Sequence, residues 1–387
     1  MRDHLNAGDA SVLAAAIEAQ HPDPFRAVSR ETLLREVQRV DALDAHDRSV
    51  LTVELMRTLA LLGPRNGHTA IHPLNDHPIT GYAYPIVLYE FDDGVFVIGA
   101  GSKDLVGSEL IAVDGIDVAD VLRAVTPLVS RDNEWTVRAR RPTFVVDASV
   151  LRGIALVDDD KQATFRLHSR DGAVSELTLE AIPTLQYLGA LLAGDFASEV
   201  PSPKFLRRRG DLHWVEMAAD GRAVHVGYNV TLGNIEEFAR EVEMLAAPRR
   251  VSVIVLDLRH NFGGDNRTYG PLLKLLERLG NEKRLAVLTS RNTFSAAMQL
   301  VVDLEHDTPA VFIGEPTGGS PNSYGDAVAV ELPNSGVNAF VATIAWMTAG
   351  DSDERLTRKP DIPVVSDSRT FFAGEDPTLD TAVAALS

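Results

Sequence analysis

The chain has 387 residues, of which 45% are hydrophobic and 24% are charged, so it is neither disordered nor fibrous and is long enough for two or three domains. Its 55 acidic side chains outnumber the 37 basic ones, and the formal charge is −18. Binding to DNA or RNA needs a basic face, so we expect no nucleic-acid partner. The short arginine-rich runs at 138–141 and 207–209 are interpreted as solvated surface.

The chain contains no cysteine, which excludes disulfides, thiolate metal sites and cysteine nucleophiles. No run of 18 apolar residues occurs, so no membrane span is expected. The N-terminus carries Asp3 and Asp9, and its apolar run at 12–17 is too short for a secretory signal. We therefore expect a cytoplasmic protein, although a chain whose leader had been removed would have the same sequence.

Residues 1–80 are predicted to form an N-terminal helical segment. Ser11 is a possible cap of a helix that ends at Gln20, and a second apolar period spans 33–43. A third helix is predicted from about Asp47 to Leu62, where Gly63 and the proline after it end the apolar period.

Residues 84–200 are predicted to be rich in β-strands. Two strand-like runs, YPIVLYEF and VFVIGAG, are separated by the turn sequence DDG at 92–94. A strand at 109–113, an Asp-Gly turn and a helix from about Val118 follow in the order found in half of a PDZ-like module. Residues 160–182 indicate a hairpin, and 183–210 are interpreted as irregular.

Residues 211–387 are predicted to form an α/β domain, because strands and helices alternate. Strands are indicated at 223–230, 251–259 and 310–314, with an amphipathic helix at 235–246 after the first of them. Such alternation favours right-handed crossovers and a mostly parallel sheet.

The sequence DLRHNFGG follows a strand that is apolar throughout. Ligands of open α/β sheets gather beyond the carboxyl ends of the strands, and adjacent glycines allow the backbone to approach a substrate closely. Gly263 and Gly264 are therefore candidate binding residues, with a plain tight turn as the alternative.

Ser295 lies in the sequence TFSAA, where a strand passes into a helix. Free N–H groups at a helix start favour a developing anion, and the small Ala296 next to it leaves space for a substrate. The alternative is that Ser295 only caps the helix. His68, in the sequence GHT, is a further candidate, although a lone histidine is usually structural. His72 follows four residues later, but both lie in a loop, which does not hold two histidines in the geometry that a metal site needs.

These motifs occur in a characteristic order: DLRHNFGG, TFSAA, GEPTGG at 314–319, and KPDIPV at 359–364, with GHT far upstream. In this order and spacing the chain resembles the carboxy-terminal-processing (tail-specific) and tricorn-core serine peptidases. The resemblance implies a crotonase-like α/β catalytic domain, an N-terminal helical segment and a PDZ-like module. It also implies that Ser295 is the nucleophile and that the backbone N–H of Ala296, with that of Gly263 or Gly264, forms an oxyanion hole.

The general base departs from the tail-specific pattern, which uses a lysine about 25 residues after the serine. The only lysine after Ser295 is Lys359, so no Ser–Lys dyad is present. The tricorn-like branch uses an early histidine with a late carboxylate, which match His68 and Glu354. Asp351 and Asp353 remain alternatives for the carboxylate, as do His260 and His72 for the base. The complete tricorn tetrad is absent, because Gly67 stands where that branch has a serine.

The resemblance therefore implies a serine peptidase that acts on peptides or proteins and needs no metal or organic cofactor. A binding protein on the same fold, without catalysis, is the second hypothesis, because a fold does not fix a function. An oligomer is compatible with the sequence.

Overall fold

The computed structural model describes residues 8–43, 47–74, 81–196, 201, 203–365 and 367–386. The contacts divide the chain into two compact units. Unit 1 comprises Met1–Asp132, Val137–Val200 and Ser323–Trp346, and unit 2 comprises Asn133–Thr136, Pro201–Asn322 and Met347–Ser387. No sequence pattern indicated that the short segments 133–136 and 323–346 belong to a different unit from the residues around them.

The described residues form thirteen α-helices: α1 Asp9–Gln20, α2 Arg30–Asp41, α3 Arg48–Ala60, α4 Val118–Val125, α5 Glu134–Val146, α6 Ala148–Gly153, α7 Thr184–Ala193, α8 Lys204–Arg207, α9 Ile235–Ala246, α10 Gly270–Glu282, α11 Ala296–Asp307, α12 Ser368–Phe372 and α13 Pro377–Leu386. No helix among them is long and apolar enough to cross a membrane.

The same residues form eighteen strands: β1 Tyr82–Ala83, β2 Ile86–Phe91, β3 Gly94–Ala100, β4 Glu109–Val113, β5 Ile116–Asp117, β6 Gln162–His168, β7 Val174–Glu180, β8 Ile182–Pro183, β9 His213–Ala218, β10 Ala223–Tyr228, β11 Val253–Asp257, β12 Arg284–Thr289, β13 Val311–Gly314, β14 Ser323–Gly325, β15 Val328–Glu331, β16 Asn338–Val341, β17 Ile344–Trp346 and β18 Ile362–Pro363.

Unit 1 contains an antiparallel sheet in the order β2-β3-β4-β6-β7, with β5 paired to β4. This confirms the predicted strands of the region and the hairpin predicted at 160–182. The N-terminal helices are also confirmed, although α1 begins after Gly8 without a side-chain cap, so Ser11 is not its cap. The irregular interpretation of 183–210 was wrong. Helix α7 is rich in leucine and alanine and ends at Gly194, whose φ of +79° is the usual left-handed stop.

Unit 2 contains a six-stranded sheet in the order β18-β13-β12-β11-β10-β9. The neighbours from β10 to β18 pair in parallel and only the edge strand β9 is antiparallel, so the predicted mostly parallel sheet is confirmed. Every residue of β11 is buried, as expected of a strand covered on both faces. The fold is thus mixed α/β. The carboxyl ends of β11, β12 and β13 carry the three motifs singled out in the sequence.

Candidate active site

Ser295 lies between β12 and α11 in a backbone conformation that residues other than glycine rarely adopt. Its φ is +54° and its ψ is −129°, and its side chain makes no capping hydrogen bond with α11. Such a conformation costs about 1–3 kcal/mol and persists only where the surroundings impose it. A residue that served only as a helix cap would need no such strain. A strained strand-to-helix turn is instead the way α/β hydrolases present a nucleophilic hydroxyl.

Gly263 lies directly against this serine. Its φ is +112°, and a Cβ built on it would lie 2.5 Å from Ser295 Cβ, 3.0 Å from Ser295 Oγ and 3.1 Å from the Ala296 nitrogen. A carbon at these distances would overlap all three atoms. The close approach therefore requires glycine at this position, and the structure brings Gly263, Ser295 and Ala296 together at one point.

The amide hydrogens of the glycine turn and of the first residue of α11 differ in their availability. The Gly263 N–H donates to Asn261 Oδ1 at 2.9 Å, so it is already used within the protein. Among the described residues, the N–H groups of Gly264 and Ala296 have no acceptor. The prediction named Ala296 with either Gly263 or Gly264, and the Gly263 N–H is the one of these groups that already has an acceptor. Gly264 and Ala296 remain as candidates.

Loops from neighbouring strands hold the Ser295 turn. The Phe294 N–H donates to the Asn261 carbonyl at 3.1 Å, and Thr293 Oγ1 donates to the Leu258 carbonyl at 2.9 Å. The Gly319 N–H donates to the Thr293 carbonyl at 3.0 Å. The loops after β11, β12 and β13 thus meet at the serine, and this convergence maintains its strained conformation.

A buried charge network that the sequence reasoning missed lies at the end of β11. Arg259 bonds to Asp257 through Nε at 3.0 Å and to Asp376 through Nη1 at 2.7 Å, while His225 Nε2 lies 3.0 Å from Asp257. Burial alone would raise the pKa of Asp257, but Arg259 and the His225 hydrogen bond outweigh it and hold that pKa well below its usual range. The sequence signal for this network was the sequence LDLR, in which an aspartate and an arginine come together at the end of an apolar strand.

His68 lies in unit 1, in a loop whose backbone is held from both sides. The Gly67 N–H donates to Asp132 Oδ1 at 2.7 Å, and Arg140 Nη1 donates to the Gly67 carbonyl at 2.7 Å. Thr69 Oγ1 accepts from the Ala342 N–H at 3.1 Å. The loop is therefore a fixed part of unit 1.

Burial is the main cause that lowers the pKa of His68 to about 3, with the positive charge of Arg140 and the ring of His72 adding to it. A hydrogen bond with the Tyr324 backbone acts in the opposite direction. The imidazole is therefore neutral at physiological pH, as a general base must be. The ordinary value near 6.5, expected for an unperturbed histidine, does not apply to this site.

The acidic loop at 351–354 belongs to unit 2. Asn322 Nδ2 holds it through the carbonyls of Gly350 at 2.7 Å and Asp353 at 3.1 Å. The Asp353 carboxylate pairs with Arg355 at 2.7 Å, whereas Asp351 and Glu354 are exposed. The negative charge of Asp353 is thus balanced by Arg355.

The competing histidines lie in different units. His260 of unit 2 is half-buried with its ring 5.5 Å from that of Phe262, and burial followed by Arg209 lowers its pKa. In unit 1, burial followed by Arg140 lowers the pKa of His72 to about 4.

No protein-family model and no curated protein matches the chain. A solved structure of mature CPAF complexed with lactacystin is 15% identical to it, with 98% of each chain covered and a TM-score of 0.70. A structure of mature CPAF alone is also 15% identical and gives a TM-score of 0.69, with 98% of this chain and 96% of the other covered. A photosystem II D1 C-terminal processing protease is 14% identical over 95% of this chain and 98% of the other, with a TM-score of 0.44.

At such low identity the likeness to CPAF establishes the fold alone. That fold extends over nearly the whole chain, so it includes both units and not only the parallel sheet. The predicted resemblance to the carboxy-terminal-processing and tricorn-core peptidases is thereby confirmed as a likeness of fold.

Proposed function

We propose that the chain is a serine-type peptidase with Ser295 as its nucleophile and His68 as its general base. The observation that carries the proposal is the strained backbone of Ser295, with glycine backbone packed against its hydroxyl. Strain of about 1–3 kcal/mol at a serine that does not cap its helix is the kind of cost that persists at catalytic positions. The likeness of fold to mature CPAF, which has been solved in complex with lactacystin, supports the same proposal.

In the proposed mechanism, neutral His68 accepts the Ser295 proton as Oγ attacks a peptide carbonyl. The N–H groups of Gly264 and Ala296 stabilise the oxyanion, and His68 then gives its proton to the leaving amine. In the second half of the reaction His68 accepts a proton from the water that attacks the acyl-enzyme, and it then returns that proton to Ser295 Oγ. No step calls for a metal or an organic cofactor.

Glu354 is proposed to orient the imidazole, with Asp351 as the alternative. A base with a pKa near 3 holds a proton weakly, so the imidazolium that forms during the reaction needs a stabilising negative charge. A carboxylate that comes beside the ring in the substrate complex would supply that charge there, while the free chain keeps the low pKa of His68.

The finer architecture belongs to the same proposal. We assign the parallel sheet of unit 2 and its helices to a crotonase-like catalytic domain, and the sheet from β2 to β7 in unit 1 to a PDZ-like module. The substrates are proposed to be peptides or proteins.

The test is hydrolysis of a mixture of internally quenched peptides by the purified chain and by Ser295→Ala prepared in parallel. We expect cleavage by the native chain, block of that cleavage by lactacystin, and a loss of roughly 10³-fold or more in Ser295→Ala. Cleavage that survives the substitution would show that Ser295 is not the nucleophile. Peptide binding without any cleavage would favour the binding protein instead.

A further inference from the structure

Asn261 occupies the centre of the loop between β11 and the two glycines, and its side chain is fully buried. Its Oδ1 accepts from the Gly263 N–H at 2.9 Å, and its Nδ2 donates to the Tyr228 carbonyl at 2.7 Å. Its own carbonyl accepts from the Phe294 N–H at 3.1 Å. One residue therefore connects the end of β10, the glycine turn and the segment that carries the nucleophile.

The two glycines need such a restraint because glycine has no side chain to limit its backbone conformation. Gly263 and Gly264 have φ values of +112° and +144°, and a glycine peptide rotates at low cost. Two hydrogen bonds fix successive peptide planes: Asn261 holds the N–H of Gly263, and the Gly263 carbonyl accepts from the Thr231 N–H at 2.9 Å. In a trans peptide the N–H points away from the carbonyl of the same plane. The Gly264 N–H is therefore directed away from Thr231.

We infer that Asn261 is a positioning residue that fixes the direction of the Gly264 N–H relative to Ser295. The inference rests on the proposed function, in which that N–H stabilises the oxyanion. Asn261 does not touch the substrate in this scheme. Its effect passes through the glycine backbone, so its loss acts on the transition state more than on substrate binding.

The experiment compares Asn261→Ala with Asn229→Ala, which is a matched control. Asn229 is also buried in unit 2, and its Nδ2 donates to two backbone carbonyls, those of Arg208 and Asp211, both at 2.9 Å. Both variants lose buried hydrogen bonds and should show a comparable fall in Tm. Only Asn261→Ala is expected to lower kcat, by roughly 10²-fold, with KM changed by less than about threefold. Equal falls in kcat for the two variants would reduce Asn261 to a structural role.

Amide hydrogen exchange gives a second measurement that does not depend on hydrolysis. In Asn261→Ala, the amides of Gly263 and Asp265, which both have acceptors in the native chain, should exchange faster, and in Asn229→Ala they should not. Unchanged exchange at these amides would overturn the inference. If the alanine variant does not fold, Asn261→Leu, which keeps the side-chain volume but has no acceptor for the Gly263 amide, takes its place with the same expectations. A native chain that cleaves no peptide, but shows this exchange pattern, would refute the proposed function and keep the positioning role.

Discussion

The Ser295 turn of unit 2 and the His68 loop of unit 1 are prepared for chemistry by different physical means. Ser295 is set by backbone strain, with a φ of +54° and glycine packed against its side chain. His68 is set by its surroundings, because burial and the charge of Arg140 lower its pKa to about 3. The geometry of the first region depends on the absence of a Cβ at Gly263. The second depends on charge and solvent access.

The two means imply different sensitivities to mutation. A strained turn should fail abruptly when a Cβ is added, because backbone atoms cannot move aside cheaply. A shifted pKa should respond gradually, because burial, Arg140 and His72 each contribute part of it. Substitutions in each region therefore test whether the two regions differ in this way.

Two histidine substitutions distinguish the candidate bases. His68→Ala should lower turnover by roughly 10³-fold, since Ser295 then has no group to accept its proton. His260→Ala should leave most of the turnover in place, because its ring packs beside Phe262 and has no role in the proposed mechanism. Steady-state kinetics on the same peptide measures both. A large loss in His260→Ala with little in His68→Ala would move the base to unit 2.

Gly263→Ala tests the strained turn. The added Cβ would lie 2.5 Å from Ser295 Cβ, so we expect a fall in kcat of roughly 10²-fold or more and a lower Tm. Gly270→Ala is the control, because Gly270 begins α10 and a Cβ added there would meet nothing within 4 Å. Full activity in Gly263→Ala would contradict the close approach of the glycine to the nucleophile.

The pH profile tests the His68 environment. A base is active when neutral, so activity should rise with pH through its pKa. A pKa of about 3 places this acid limb below about pH 5 in the native chain. Arg140→Gln removes a positive charge that lowers the pKa, and the limb should move to higher pH. Arg140→Lys keeps the charge and should move it less. A native limb near pH 6.5, the ordinary histidine value, would mean that the working His68 is not in this environment.

The strain at Ser295 should also affect the stability of the chain. Ser295→Gly relieves the positive φ and should raise the free energy of unfolding by about 1 kcal/mol, the strain being partly offset by the freedom of glycine in the unfolded chain. Ser295→Ala keeps a Cβ and should bring no such gain. Urea unfolding of the two variants measures the difference. Equal stabilities would indicate that the turn stores no strain.

The same contrast explains which parts of the site could be predicted from sequence. Ser295 and the two glycines could be predicted because each follows a recognisable strand. Serine at a helix start and adjacent glycines are residue types that suit a catalytic loop. Of the causes of the low His68 pKa, only His72 lies near it in the sequence, whereas burial and Arg140, the two larger causes, act only through the fold. The use of the Gly263 amide by Asn261 was equally hidden, because a motif does not show which way a peptide plane faces.

The fold, too, was predictable from the sequence only in part. The parallel sheet of unit 2 was predictable because its apolar strands and amphipathic helices alternate clearly. The two segments that change unit, 133–136 and 323–346, were not, because membership in a unit depends on long-range contacts. Helix α7 was missed as well, since its apolar residues are distributed around the helix and leave a weak period.

Labelling with a fluorophosphonate probe, followed by mass-spectrometric mapping of the modified peptide, tests the assignment of Ser295 most directly. The native chain should be modified at Ser295 alone, His68→Ala should react far more slowly, and Ser295→Ala should not react. Modification of another residue, or a native chain that stays unlabelled under conditions in which a known serine peptidase reacts fully, would contradict the assignment of Ser295 as an activated nucleophile.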